Sequence, residues 1–410
     1  MNFAALRVRP FRRLWLGQAI SQLGDSFYYV VFMFMVKKVT GSSEMVGFVG
    51  ALESLPFLLF GPHAGVIADR IDRRVVMLAS DLASGGFLLL FGLIVWLDGN
   101  PPKWALLAIP FLLSTVRCYF MPAKSAAIPA LVDADQVLQA NALSSMTQTS
   151  MPLIGLSLSA GVLSALYLLS PQQFYLSTVG INCLSFLLSA AFIFRLPALR
   201  PKREDVHETH PITDFKDGLK YINGRHDLKI LTLLLTVFRL MVAPFFVVFL
   251  AANDKWLGGK PQTLTWWEFT FFCGMAIASI AMGNAKPKRP LLWFAVGLLI
   301  VGLTVAAMAI WPGFWPLVFW NVIAGLAIPP ADIPVATYLQ LSVPDAFRGR
   351  VNSVREMISQ GVMPIGMVLG GWFTERYGVE AGFMAMGIGM MAACFIGLAD
   401  KQFRSAEMPA

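Results

Sequence analysis

Charge is scarce in this chain. Asp, Glu, Lys and Arg make up 14% of its 410 residues, apolar residues make up 57%, and the mean hydropathy is +0.65. An ordinary soluble domain carries roughly a quarter of its residues as charges, so the composition excludes a water-solvated globule and leaves a lipid-embedded one. Cysteine is sparse too. Cys118, Cys183, Cys273 and Cys394 fall one to an apolar run, which gives neither a disulfide framework nor metal-ligand spacing, and they read as packing residues. His207 and His210, in HETH, supply too few ligands for a metal. No His, Cys or carboxylate cluster has catalytic spacing, and no glycine-rich loop has a phosphate-binding pattern. An enzyme, a metal, a cofactor and direct drive by ATP are therefore not expected. A cleavable signal is not expected either: the first apolar run is full length, follows Arg12 and Arg13, and lacks a small-residue cleavage site.

What the chain has is long apolar runs. Backbone groups in hydrocarbon must pair within their own segment, so runs of roughly 20 apolar residues read as helices. Twelve are predicted, over 13–36, 45–68, 75–97, 104–124, 140–167, 174–195, 228–251, 266–284, 291–311, 316–339, 352–373 and 380–399. The expected fold class is all-α integral membrane, with two pseudo-symmetric six-helix bundles.

The net charge of +8 would suggest a nucleic-acid partner in a soluble protein. Position excludes that reading. Most Lys and Arg fall on one set of connections, including Arg12, Arg13, Arg70, Arg73, Arg74, Lys124, Arg200, Lys229, Arg289, Arg348 and Arg404. Positive charge collects on the cytoplasmic side, so both termini are expected there. Trp96, Trp104, Trp256, Trp266, Trp267, Trp311, Trp315 and Trp372 fall at the opposite ends, where amphipathic rings prefer the headgroup layer.

The longest polar stretch divides the spans six and six, giving an N-terminal bundle at 1–196, a cytoplasmic linker at 197–227 and a C-terminal bundle at 228–410. Within the linker, ITDFKDGLKYI has the pattern of a short amphipathic helix suited to the inner membrane surface. A shift of 211 positions lays Asn141, Met146, Gly155 and Leu158 of the fifth span on Asn352, Met357, Gly366 and Leu369 of the eleventh. The halves read as diverged copies.

Between the second and third spans stands GVIADRIDRR, with Gly65, Asp69, Arg70, Arg73 and Arg74. This resembles the signature loop of the major facilitator superfamily, with I-D in place of the usual second Gly. That replacement, FMPAKSAAIPALV followed by Ala140-Asn141-Ala142, and LQLSVPDAFRGRVNS resemble the bacterial branch that includes enterobactin exporters and macrolide-efflux proteins. The helix-five antiporter motif survives only as Met151-Pro152-Leu153-Ile154-Gly155-Leu156. The resemblance implies alternating access in the inner membrane of a bacterium. It also implies that Asp69 meets the start of the eleventh span, near Val351 to Arg355, in one state. The plain alternative is that the loop only fixes topology.

Charges inside hydrocarbon cost about 2.5 to 3.5 kcal/mol each on insertion scales, so each calls for a reason. Asp25, Arg117, Arg239 and Asp332 occur one on each of spans one, four, seven and ten, which line the central substrate cavity in the resembled fold. Asp81 and Arg117 lie at similar depth on neighbouring spans, so an Asp81–Arg117 ion pair competes with a cavity role for Arg117. Asp25 and Glu53 lie at depths that differ by roughly 4 Å at helical rise and read as a proton-coupling pair, unless Glu53 only hydrogen-bonds locally. Pro329, Pro330 and Pro334 should break or bend the tenth span, as a gate or as a static kink. Aromatic clusters such as Phe245, Phe246 and Phe249 receive no site, since at least half must face lipid or other helices.

The expected function is proton-coupled efflux of a small amphipathic or hydrophobic compound by a monomer. The rivals are a lipid or lysophospholipid flippase and an uptake permease of the same fold. A non-transporting scaffold would leave the intramembrane charges unexplained.

Overall fold

The computed structural model describes residues 4–133, 136, 137, 139–141, 143–148, 151, 154, 155, 170–200, 211–282, 285 and 287–408. The described residues are helical with short connections and no strand. The principal helices are α1 Arg9–Thr40, α2 Ser43–Arg70, α3 Arg73–Asp98, α4 Lys103–Leu131, α5 Pro171–Phe194, α6 Pro211–Gly224, α7 His226–Val242, α8 Phe245–Trp256, α9 Pro261–Met282, α10 Pro290–Ile310, α11 Phe314–Ser342, α12 Asp345–Gly361, α13 Met363–Tyr377 and α14 Val379–Ala399.

Among the described residues, ten helical stretches are long and apolar enough to cross a membrane, with α7 and α8 forming one of them. They coincide with ten of the twelve predicted spans. The fifth, 140–167, falls mostly outside the described residues, together with most of the helix-five motif; residues 201–210 of the linker, with His207 and His210, lie outside them too. The eleventh is divided at Val362 into α12 and α13. Pro364 causes the division, because it lacks an amide hydrogen and its ring clashes with the carbonyl four residues earlier. Pro244 separates α7 from α8 in the same way. The expected break around Pro329, Pro330 and Pro334 is not seen: α11 runs unbroken through all three. Packing holds it, since Ala327 and Ala331 seat against Gly297 of α10.

The chain forms two compact units. One comprises Met1–Gly41 and Leu52–His207; the other comprises Ser42–Ala51 and Glu208–Ala410. The start of α2 thus groups with the second unit, where the Ser43 amide donates to the Glu375 carboxylate at 2.6 Å. The first unit is cored by Phe11, Leu14, Met77, Ala127 and Ile193. Local signals fix its helix ends: Ser170 opens α5 with a capping box in which Ser170 and Gln173 each accept the other's backbone amide.

The second unit is cored by Leu228, Leu231, Leu291, Leu298, Val335 and Val354. Helix α6 exists as the linker pattern predicts, but its apolar face is not left for a membrane surface. Phe215, Leu219 and Ile222 pack onto this core with Val351 and Val354 of α12. Arg225 then clamps Asp227 with two bonds of 2.9 and 2.6 Å, and the Tyr338 hydroxyl donates to the same carboxylate at 2.6 Å. His226 lies 2.6 Å from Asp400 and holds that carboxyl below the usual carboxylate range.

Helices α9 and α11 cross with their backbones in near contact at Gly274 and Gly325, where a Cβ on Gly325 would lie 3.2 Å from the Met275 amide nitrogen and nearer still to the Phe271 carbonyl. Small residues permit such crossings in lipid. Gly325→Val should force the pair apart and lower stability by about 1 to 3 kcal/mol. The midpoint of thermal unfolding in detergent reads this. Gly61→Ala, at a position with no neighbouring atom within 4 Å, should not lower it.

Candidate functional site: a charged cavity in the N-terminal unit

Along α1 the polar residues Gln18, Ser21, Gln22, Asp25, Tyr28 and Tyr29 recur every three or four positions, which places them on one helix face. That face forms one wall of a cavity of about 150 Å³. Glu53 enters it from α2, Ser80, Asp81 and Ser84 from α3, and Ser114, Arg117 and Lys124 from α4. Three carboxylates and two cations therefore share one small space.

Neighbouring helices orient the members. The Asn182 amide of α5, fully buried, donates to Asp25 at 3.3 Å, and Ser185 in turn donates to Asn182 Oδ1 at 3.0 Å. The Ser114 hydroxyl donates to the Glu53 backbone carbonyl, tying α4 to α2 beside the carboxylate. Gln18 is fixed by Ser144, whose hydroxyl donates to Gln18 Oε1 at 3.0 Å. Arg117 lies exposed within the cavity, where its charge acts on both Asp25 and Glu53, and Asp25 and Glu53 act on each other. Asp81 and Lys124 are each 2% exposed. The hydroxyl of Tyr28, Oε1 of Gln22 and Oδ2 of Asp81 are buried without a hydrogen-bond partner among the described residues. These atoms give the cavity capacity for a polar guest or water.

The cavity gathers Asp25, Glu53, Asp81 and Arg117, all four singled out from the sequence. Asp81 and Arg117 share it without a salt bridge between them. Of the four charges expected around one substrate cavity, it contains Asp25 and Arg117. Arg239, on α7 and partly buried, and Asp332, on α11 and exposed, belong to the other unit. Lys124 is a correction: the expected span ended at this residue and left it to a loop, whereas α4 continues to Leu131 through small and apolar residues and turns Lys124 inward. The stripe at 18, 21, 22, 25, 28 and 29 is the sequence signal that would have found Gln18, Gln22 and Tyr28.

The GVIADRIDRR segment is more helical than a loop. Gly65 to Arg70 are the last turns of α2, α3 begins at Arg73, and only Ile71 and Asp72 separate them. Asp72 caps α3, accepting the Arg74 amide at 3.0 Å and the Leu199 amide at 3.0 Å. Arg73 donates to the Ala126 carbonyl of α4 at 2.9 Å, while Arg74 donates to the Phe194 carbonyl and lies 5.3 Å over that ring. Asp72, Arg73 and Arg74 thus pin the hinge to α4 and to the end of α5. Asp69 and Arg70 are exposed and bond to no described residue.

Comparison with known proteins agrees with this architecture. A family model described as "Transmembrane secretion effector" matches residues 1–408. Macrolide efflux protein A of Streptococcus pyogenes is 25% identical over 385 residues, covering 92% of this chain and 92% of that protein. The enterobactin exporter EntS of Escherichia coli O1:K1 / APEC is 26% identical over 370 residues, covering 86% and 83%. Among solved structures, the nucleoside transporter NupG superposes with a TM-score of 0.72 at 12% identity over 95% of this chain and 98% of its own. A bacterial homologue of the human lysosomal transporter Spinster gives 0.73 at 14% identity over 98% of each chain. At these identities the two structures speak for the fold alone.

Removing the hinge cap should be felt as lost stability. Asp72→Ala frees two amides at once and should cost about 1 to 2 kcal/mol, read as a lower unfolding midpoint in detergent. Asp69→Ala, which breaks no bond to a described residue, should leave that midpoint in place.

Proposed function

We propose, for a chain that belongs to the transmembrane secretion effector family of major facilitator transporters, that it exports a small amphipathic or hydrophobic compound against an inward flow of protons. Transport across a bilayer follows from the family. Direction, coupling and substrate class are our reading. The observation that carries it is the gathering of Asp25, Glu53 and Asp81 with Arg117 and Lys124 in one cavity.

Charge balance gives the mechanism its form. With all five groups ionised the cavity holds three negative charges against two positive, an excess of one. In a low-dielectric surround such an excess is expensive, and like charges crowded together resist joint ionisation. One exchangeable proton restores neutrality. Asp25 and Glu53, which act on one another and share Arg117, are the pair on which that proton resides. A neutral cavity is the cheaper one to close away from water, so loading and release of the proton bias the two access states in opposite directions.

Export is favoured by the names of the relatives at 25 and 26% identity, a macrolide efflux protein and an enterobactin exporter. The remaining assignments follow from the same reading: a monomer in the bacterial inner membrane with both termini cytoplasmic, bundles bounded near 196 and 228, and Arg239 and Asp332 on the substrate path. Asp69 and Arg70 are the switch, since a conformational contact has to be made by groups that are free to make and break it. Arg73 and Arg74 hold the hinge that presents them.

Two measurements test the reading. In proteoliposomes with an imposed pH gradient, a labelled macrolide should accumulate in the direction opposite to proton flow. Asp25→Asn and Glu53→Gln should each fold, judged by unchanged monodispersity, and each lower gradient-driven accumulation by about tenfold, within the usual range of coupling between two sites. Undiminished accumulation in both variants would end the coupling assignment. Asp69→Asn should keep wild-type expression and lower transport; equal transport at equal expression rules out the switch.

A further inference from the structure

The C-terminal unit contains a second cavity, of about 270 Å³, with walls from α7 to α11 and α13. Its chemistry is unlike that of the first. Five phenylalanines line it, among them Phe246, Phe249 and Phe271, and its only polar side chains are Glu268 and Asn321. Glu268 stands on α9 three and four residues before Phe271 and Phe272, so all three share a helix face.

Both polar groups have acceptor capacity to spare. The Asn321 amide nitrogen donates to the Trp267 carbonyl at 2.7 Å. A carbonyl only accepts, so this bond fixes which end of the amide is oxygen. Asn321 is 2% exposed, and its Oδ1 has no hydrogen-bond partner among the described residues. Glu268 makes no hydrogen bond or ion pair with any described residue. A carboxylate within a membrane-spanning helix calls for a reason, and such acids are functional by default.

The internal repeat points the same way. The 211-position shift that relates the fifth and eleventh spans lays Phe57, Pro110, Leu113 and Arg117 of the first cavity on Glu268, Asn321, Ala324 and Ile328 of the second. The two cavities thus share four wall positions under this shift. Where the first keeps an arginine beside its acids, the second has an isoleucine, so the counter-charge for Glu268 is not supplied by the protein at that position.

We propose that this cavity binds a protonated organic amine with an apolar body, the ammonium held by Glu268 and Asn321 and the body by the phenylalanine walls. Two acceptors, one of them a carboxylate, favour a ligand that brings N–H groups and positive charge. Aromatic faces around them attract the same cation and bury the apolar remainder. The proposal concerns equilibrium binding, so it stands apart from whether protons drive transport.

The test compares two probes of one shape, 1-naphthylmethylamine and 1-naphthalenemethanol, titrated into the full chain in nanodiscs at neutral pH. The wild type should prefer the amine by about tenfold, or 1.4 kcal/mol. Glu268→Gln should abolish that preference while leaving the alcohol's affinity within about twofold, and Glu268→Asp should retain part of the preference. Retained alcohol binding shows that the variant is folded. A wild type that binds both probes alike, or a Glu268→Gln protein that still prefers the amine, would each overturn the assignment.

Discussion

Lipid offers a backbone nothing to hydrogen-bond with, and most of this structure follows from that. Each described span closes its own hydrogen bonds as a helix, including α11, which carries three prolines without breaking. Where the helix does fail, at Pro244 and Pro364, protein covers the fault. Gly366 brings α13 to within contact of the Leu240 carbonyl, and Gly370 lies against Pro244 itself. The two breaks therefore shield each other, and irregular backbone appears only where another helix lies over it. The same constraint makes close crossings useful, because packing rather than water exclusion holds helices together in hydrocarbon.

Charge obeys a related rule. A lone ion in the bilayer is unfavourable, and the N-terminal unit answers by concentrating its ions: Asp25, Glu53, Asp81, Arg117 and Lys124 face one cavity rather than five separate environments. Outside the apolar slab the opposite economy holds. Asp72, Arg73 and Arg74 are consumed by backbone amides and carbonyls of α3, α4 and the end of α5. Within a single ten-residue signature, then, two exposed residues that bond to no described residue, Asp69 and Arg70, are followed by three that fix the hinge.

The helices were legible because their signal is nearly independent of tertiary context: a run of apolar residues long enough to cross hydrocarbon has few alternatives to a helix. Ends were less so. The span at 104–124 stopped at Lys124 because charge was taken as a boundary, although SAAIPAL continues the same helix and only the neighbouring helices decide that Lys124 turns inward. Proline was only partly legible: Pro329, Pro330 and Pro334 do not break their helix, whereas Pro364 divides one, and local sequence does not distinguish the two cases. The cavity was half legible. Depth along each span brought Asp25 to Glu53 and Asp81 to Arg117, since rise per residue is fixed. Which faces converge depends on helix rotation, which the polar stripe on α1 records. Glu268 went unread because it sits beside Trp266 and Trp267, where a charge passes for a boundary residue.

The two copies show how one architecture acquires two chemistries. A shift of 211 positions lays four wall residues of the first cavity on four of the second, so the two share part of their walls. What differs is the set of side chains aimed inward. In the first copy Arg117 offsets carboxylates on α1, α2 and α3, and the unit's own groups nearly balance. In the second, Ile328 replaces that arginine, the carboxylate moves to α9, and phenylalanines take the remaining wall. The first cavity is lined by three acids and two cations, the second by one acid among phenylalanines. On our reading the first cluster answers to proton occupancy and the second to a cation from outside, without any change of fold.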